Sequence, residues 1–174
     1  MDFLTHLCLP VTVAYVLRPD LFESPSTFLL AGFGLLPDAD KFLGMAGLLH
    51  SLVTLVPILL GLLLVERVVR GDTRYAWLAA ALALSHLLLD FVDGGPVPLL
   101  APFLWEGIGL EYPVRTLFGG GPLGVLWLEG PLVSLRVVAP ERGFNTYGFI
   151  NGTGVMSALT FLVIRLGDGP RGER

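Results

Sequence analysis

The chain is built from long apolar blocks separated by short polar punctuation. From Phe42 to Val65 there is no Asp, Glu, Lys or Arg. From Tyr75 to Val92 the only formal charge is Asp90, and from Gly143 to Ile164 there is again none. Each block is long enough, or nearly so, to cross a bilayer, which takes about 20 apolar residues as a helix. Two shorter blocks, Phe3–Leu17 and Thr27–Leu36, suit a tilted or partly inserted hairpin, with Pro10 a kink point in the first. A further block, Leu123–Val138, is interrupted by Glu129, Pro131 and Arg136 and reads as re-entrant or interfacial. The pattern predicts an all-α, multi-pass transmembrane helical bundle of about five membrane segments. Residues 1–166 read as one integral-membrane domain and 167–174 as a flexible polar tail. Gly94-Gly95-Pro96-Val97-Pro98 and Gly119-Gly120-Gly121-Pro122 read as turns. The second run lacks the Lys-Ser or Lys-Thr of a phosphate-binding loop.

Composition supports lipid as the main solvent. Apolar residues make up 53% of the 174 and charged residues only 15%, against roughly 25% charged in soluble domains. A net charge of -4 excludes a basic nucleic-acid binder. A single cysteine, Cys8, excludes a disulfide framework or a thiolate zinc knuckle. The N-terminus lacks the basic region and small-residue cleavage site of a signal peptide. Arg67, Arg70 and Arg74 cluster between the two strongest segments, so the positive-inside rule puts that loop in the cytoplasm. Arg18, Arg165, Arg171 and Arg174 fit the same orientation, which leaves Asp93 to about Arg142 outside.

That orientation, drawn from arginines alone, brings other residues to one level. His6 opens the first segment, Asp38 and Asp40 follow the second, His50 opens the third, and His86 and Asp90 close the fourth. All three histidines of the chain and three acids therefore fall at the outer end of the bundle. Neutral imidazole and carboxylate are ligands of zinc and related divalent ions. His86 and Asp90, four apart, share one helix face. A bound cation would offset the cost of carboxylates near hydrocarbon. Plainer readings stand beside this one: Asp38 as a helix cap, His86–Asp90 as a structural hydrogen-bonded pair, and His6 or His50 as structural residues near the interface.

Thr5-His6, Leu36-Pro37-Asp38-Ala39-Asp40, His50-Ser51 and Ser85-His86-Leu87-Leu88-Leu89-Asp90 occur in an order and spacing that resembles the YdjM-like family of membrane-bound metal-dependent hydrolases. Gly94 to Phe103 looks like that family's Gly…Pro-Phe loop, so the resemblance covers Met1 to Phe103. It implies a multi-pass protein with one or two divalent ions, zinc by preference. It also implies a distant likeness to the all-helical zinc-dependent phospholipase C and P1 nuclease fold. By that analogy His6, Asp38, Asp40, His50, His86 and Asp90 are metal ligands or their immediate partners. The chain departs from the family pattern at Lys41, where histidine is frequent, at Met45-Ala46, where His-Arg is frequent, and at Leu49, in place of threonine. Two metals reduced to one, and a structural site without catalysis, are both compatible with those changes.

The expected function is a metal-dependent hydrolase of a phosphoester, a lipid head group by position, on the extracytoplasmic side of the cell membrane. Metal-activated water would be the nucleophile, since no Ser-His-Asp or Cys-His signature stands out, with Asp40 or Asp90 as base where not coordinating. Membrane lipids are then the partners. The alternative is a non-catalytic membrane subunit or scaffold with a protein partner, its polar cluster holding helices together. A third option, an ion path, fits less well because the acids gather at one end.

Overall fold

The computed structural model describes residues 2–42, 44–45, 47–110, 112, 114–117, 124–127, 132–138 and 150–167. The first helix, α1 (Phe3–Leu17), starts where the Asp2 carboxylate accepts the Thr5 backbone N–H and the Thr5 hydroxyl, both at 2.9 Å. This satisfies a donor that the first helical turn otherwise leaves orphaned. Two 3-10 segments follow, Pro19–Phe22 and Pro25–Leu35, each opened by a proline. A single turn, α2 (Ala39–Phe42), carries Asp40.

The long apolar run does not continue as helix beyond Phe42. Gly44 and Gly47 take positive φ values of 66° and 93°, and α3 (Leu52–Arg70) begins only at Ser51. The Ser51 hydroxyl accepts the Val53 N–H at 3.1 Å and donates to the carbonyls of Leu99 and Ala101. The His-Ser pair thus starts the helix and pins the proline-rich loop against it. Gly71, with φ 71°, ends α3 in the left-handed conformation that glycine adopts without steric cost. Next, α4 (Arg74–Leu89) runs back, followed by one π turn over Asp90–Gly94.

α3, and α4 continued through its π turn as Arg74–Val92, are long and apolar enough to cross a membrane, and no other helix among the described residues is. A 19-residue helix spans about 28 Å, close to the hydrocarbon thickness of a bilayer. The outer face of α3 supports that role: Leu60, Leu64, Val65, Val68 and Val69 are all more than half exposed. The segments Phe3–Leu17, Pro25–Leu35 and Gly152–Gly167 are apolar but shorter.

Most of the described chain is helical, but the all-α expectation is corrected by four short strands. β1 (Glu106–Leu110) pairs antiparallel with β4 (Val133–Val137), and nested inside it β2 (Val114–Leu117) pairs antiparallel with β3 (Gly124–Trp127). The Leu123–Val138 block is thus extended where it is described. The reason lies partly in Gly107 and Gly109. A Cβ on Gly109 would stand 2.8–2.9 Å from the backbone of Gly95 and Pro96, so the loop after the π turn lies flush on β1. A bridge between Val97 and Ile108 fixes it there. Alternating Val133-Ser134-Leu135-Arg136-Val137 supplies the period-two pattern of a strand. The Gly119–Pro122 turn, residues 143–149 of the last apolar block and residues 168–174 of the tail lie outside the described residues.

The last helix, α5 (Gly152–Gly167), packs on α1. Gly154 allows the contact, because a Cβ there would lie 2.3 Å from Asp2 Oδ1. Tyr15, Phe22 and Leu82 form the core between α1, the 3-10 segments and α4, with Phe28 and Phe161 against them. A second core joins Leu55 and Leu59 of α3 to Ala80, Ala83 and Leu87 of α4. The small Ala80 and Ala83 side chains let the two helices approach closely, the usual solution for helix packing in lipid.

Candidate metal centre

Five elements converge on one buried cluster: α1 through His6, the 36–38 turn through Asp38, α2 through Asp40, the turn before α3 through His50, and α4 with its π turn through His86 and Asp90. His6 and His86 are fully buried, and their rings lie 4.0 Å apart centre to centre. Asp90, at 15% side-chain exposure, is the most open of the six.

The back of each imidazole is tied to an acceptor. His6 Nδ1 donates to the Asp2 carbonyl at 2.8 Å and His86 Nδ1 to the Gly34 carbonyl at 2.7 Å. A carbonyl can only accept, so both Nδ1 atoms carry a proton and both rings present Nε2 to the centre. His50 Nδ1 lies 3.2 Å from Asp40 Oδ2, which also accepts the Leu49 N–H at 2.9 Å. Histidines that bind metals are held in this way, with the second nitrogen fixed by a carbonyl or carboxylate.

The front of the rings faces two carboxylates. His6 Nε2 is 3.2 Å from Asp90 Oδ1. His50 Nε2 is 3.5 Å from Asp38 Oδ1 and 3.4 Å from Asp90 Oδ2. His86 Nε2 is 3.5 Å from Asp38 Oδ1 and 3.3 Å from Asp90 Oδ2. Donors about 2.0–2.2 Å from one tetrahedral ion stand about 3.3–3.6 Å from each other, close to these separations of 3.2–3.5 Å. His6 Nε2 and His86 Nε2 are buried without a hydrogen-bond partner, as is Asp38 Oδ2. Orphaned buried lone pairs of this kind are costly unless something fills them. Two sets of three donors could each hold an ion, His6 with His86 and Asp90, and Asp38 with His50 and His86. His86 belongs to both.

All six residues singled out from the sequence therefore meet. Asp40 stands behind the others, on the Nδ1 side of His50. Three participants had not been singled out as site residues. Asp2 and Gly34 contribute backbone carbonyls; the Asp2-x-x-Thr5 capping pattern hints at the first, while no side chain signals the second. Lys41, noted only as a departure from the family pattern, forms an ion pair with Asp38 Oδ1.

Charge balance follows from these contacts. Burial disfavours ionisation of Asp38, but hydrogen bonds with His50 and His86, together with the Lys41 ammonium, hold its carboxyl well below the usual range. Burial also favours a neutral His50, yet Asp38, Asp40 and Asp90 outweigh it and push its pKa up to about 10. Without metal, His50 is thus an imidazolium at neutral pH, and an incoming cation must displace its proton. Metal binding should then release about one proton per ion at pH 7, and affinity should weaken about tenfold per unit as pH falls from 7.5 to 6. Calorimetry in two buffers of different ionisation enthalpy checks this; binding without proton release would contradict it.

A pair of apolar helices long enough to span lipid, bearing an imidazole–carboxylate cage at one end, defines a membrane protein with a candidate metal site. The chain belongs to the YdjM inner membrane protein family: the family model matches residues 1–166, well beyond the motif-bearing part that ends at Phe103. No curated protein and no solved structure matches the chain.

Proposed function

We propose that the chain is a multi-pass membrane hydrolase with one divalent ion, zinc by the donor set, acting on the phosphoester of a lipid head group at the extracytoplasmic face. The observation that carries the reading is the convergence of three Nε2 atoms on Asp38 and Asp90, each ring fixed from behind. His86 would hold the ion with His6 and Asp90 or with Asp38 and His50. When bound, it would supply Lewis-acid activation of water and neutralise charge on the phosphoryl group. Asp40 would act through His50, keeping Nε2 aimed at the centre. With the ion held by Asp38, His50 and His86, Asp90, the most open carboxylate, would be free to take a proton from an approaching water. Lys41, 27% exposed at the rim, offers an ammonium to a phosphate oxygen. The five-segment arrangement expected from the apolar blocks would present this end to the outer leaflet, where a head group arrives sideways.

One observation favours a second reading. Lys41 already supplies a positive charge to Asp38, as a cluster that only fastens helices would require. One experiment separates the two. The full chain, purified in detergent, is assayed for metal content and for turnover of phospholipid and phosphodiester substrates, with and without chelator. The hydrolase reading expects about one ion per chain and turnover that chelation abolishes and zinc restores. A metal-replete chain without turnover overturns it and leaves the scaffold reading.

A further inference from the structure

The other end of α4 carries polar groups that the metal centre does not use. Glu66 of α3 is only 9% exposed. Its Oε2 accepts the Ala76 N–H at 2.5 Å, so it caps the first turn of α4 and ties the two helices together. Its Oε1 is buried with no hydrogen-bond partner, and the Arg70 guanidinium stands off at 3.8 Å. Glu66 is one of the residues lining a cavity of about 240 Å³ between the second 3-10 segment, α3 and α4, with Oε1 buried beneath its surface. Leu30, Phe33, Leu62 and Val65 wall it, and Arg70, stacked 5.4 Å over the Tyr75 ring, stands at its polar end. Ala76 and His86 are ten residues apart on one helix, about 15 Å, so this place is separate from the metal centre.

We propose that this groove is a binding site for a phospholipid whose head group carries both a primary ammonium and a phosphate, the phosphatidylethanolamine class. One acyl chain lies along the apolar wall. The ammonium donates to Glu66 Oε1, which needs a donor, and the phosphate accepts from Arg70, whose exposed guanidinium matches phosphate geometry. A choline head group has no N–H to give. An anionic glycerol head group brings its negative charge to Glu66 without a compensating cation. The combination of apolar wall, buried carboxylate and rim guanidinium therefore selects among membrane lipids by head group.

Native mass spectrometry of the full chain, with phosphatidylethanolamine, phosphatidylcholine and phosphatidylglycerol of matched acyl chains, tests the site. The ethanolamine lipid is expected to be retained about tenfold over the choline lipid, the factor that one charge-assisted hydrogen bond is worth. Glu66→Gln keeps an acceptor for the Ala76 N–H but should bring that preference to parity. Val69→Trp places bulk on the exposed lip of the groove without touching the cap and should lower retention of all three lipids. Parity in the unmodified chain, a preference for the glycerol lipid, or an ethanolamine preference that survives both substitutions would overturn the proposal. Should Glu66→Gln fail to fold, the unmodified chain and Val69→Trp still decide it.

Discussion

Replacing His86 by alanine should empty the metal centre. The residue belongs to both donor sets, is fully buried, and has its Nδ1 committed to the Gly34 carbonyl, so no neighbouring nitrogen can take its place. The metal content of the purified chain should fall from about one ion to near zero. The loss of affinity should exceed the about 10–100-fold that removal of an outer partner costs. Asp40→Asn supplies that comparison. Its amide oxygen can still accept from His50 Nδ1, but it no longer carries charge, so its affinity loss should stay within that range. Elemental analysis and zinc titration of the three proteins decide the matter. An unchanged ion count in His86→Ala would remove the metal reading, and equal losses in both variants would remove the distinction between ligand and positioning residue.

The second large effect is expected at a residue with no side chain. A Cβ added to Gly34 would lie 2.7 Å from the His6 carbonyl oxygen, an approach that backbone cannot yield to cheaply. Gly34 also carries the carbonyl that fixes His86. Gly34→Ala must therefore push α1 away from the second 3-10 segment and turn the His86 ring at once. Overpacking of this kind costs about 2 kcal/mol, which lowers the unfolding temperature by roughly 4–8 °C in a chain of this size. Metal affinity should fall in the same variant, although no ligand has been removed. Gly32→Ala, whose added Cβ meets nothing within 4 Å, is the control. Thermal unfolding in detergent with zinc titration reads both effects; identical behaviour of the two variants would contradict the close-approach argument.

These two residues also mark how far the chain could be read before its structure was known. His86 was legible because charge and imidazole are scarce here and basic residues orient the apolar blocks. Phe3–Leu17 emerged as a helix with the bounds its apolar block suggested. Gly34 was not legible, because a backbone carbonyl that fixes a ring has no side-chain signature. The start of α3 was misplaced for a related reason. No Asp, Glu, Lys or Arg interrupts the run from Phe42 to Val65, and the positive φ values of Gly44 and Gly47 and the Ser51 cap delay the helix. The strands β1 and β4 were missed because their apolar side chains do not mark a buried face. Leu135 and Val137 point outward, while Gly107, Gly109 and Ser134 lie inside. Hydropathy alone treats such a segment as interfacial.

Gly154 against Asp2 has a consequence for how the protein comes into being. Every side chain of the cage is synthesised by Asp90, yet the brace on Asp2, whose carbonyl holds His6, belongs to a helix made about sixty residues later. A nascent chain inserted up to the β hairpin would own all its ligands while the first of them was still free to swing. Docking of α5 would then be the event that makes the cage selective. Ion capture would be timed to the arrival of α5 rather than to the appearance of the last ligand.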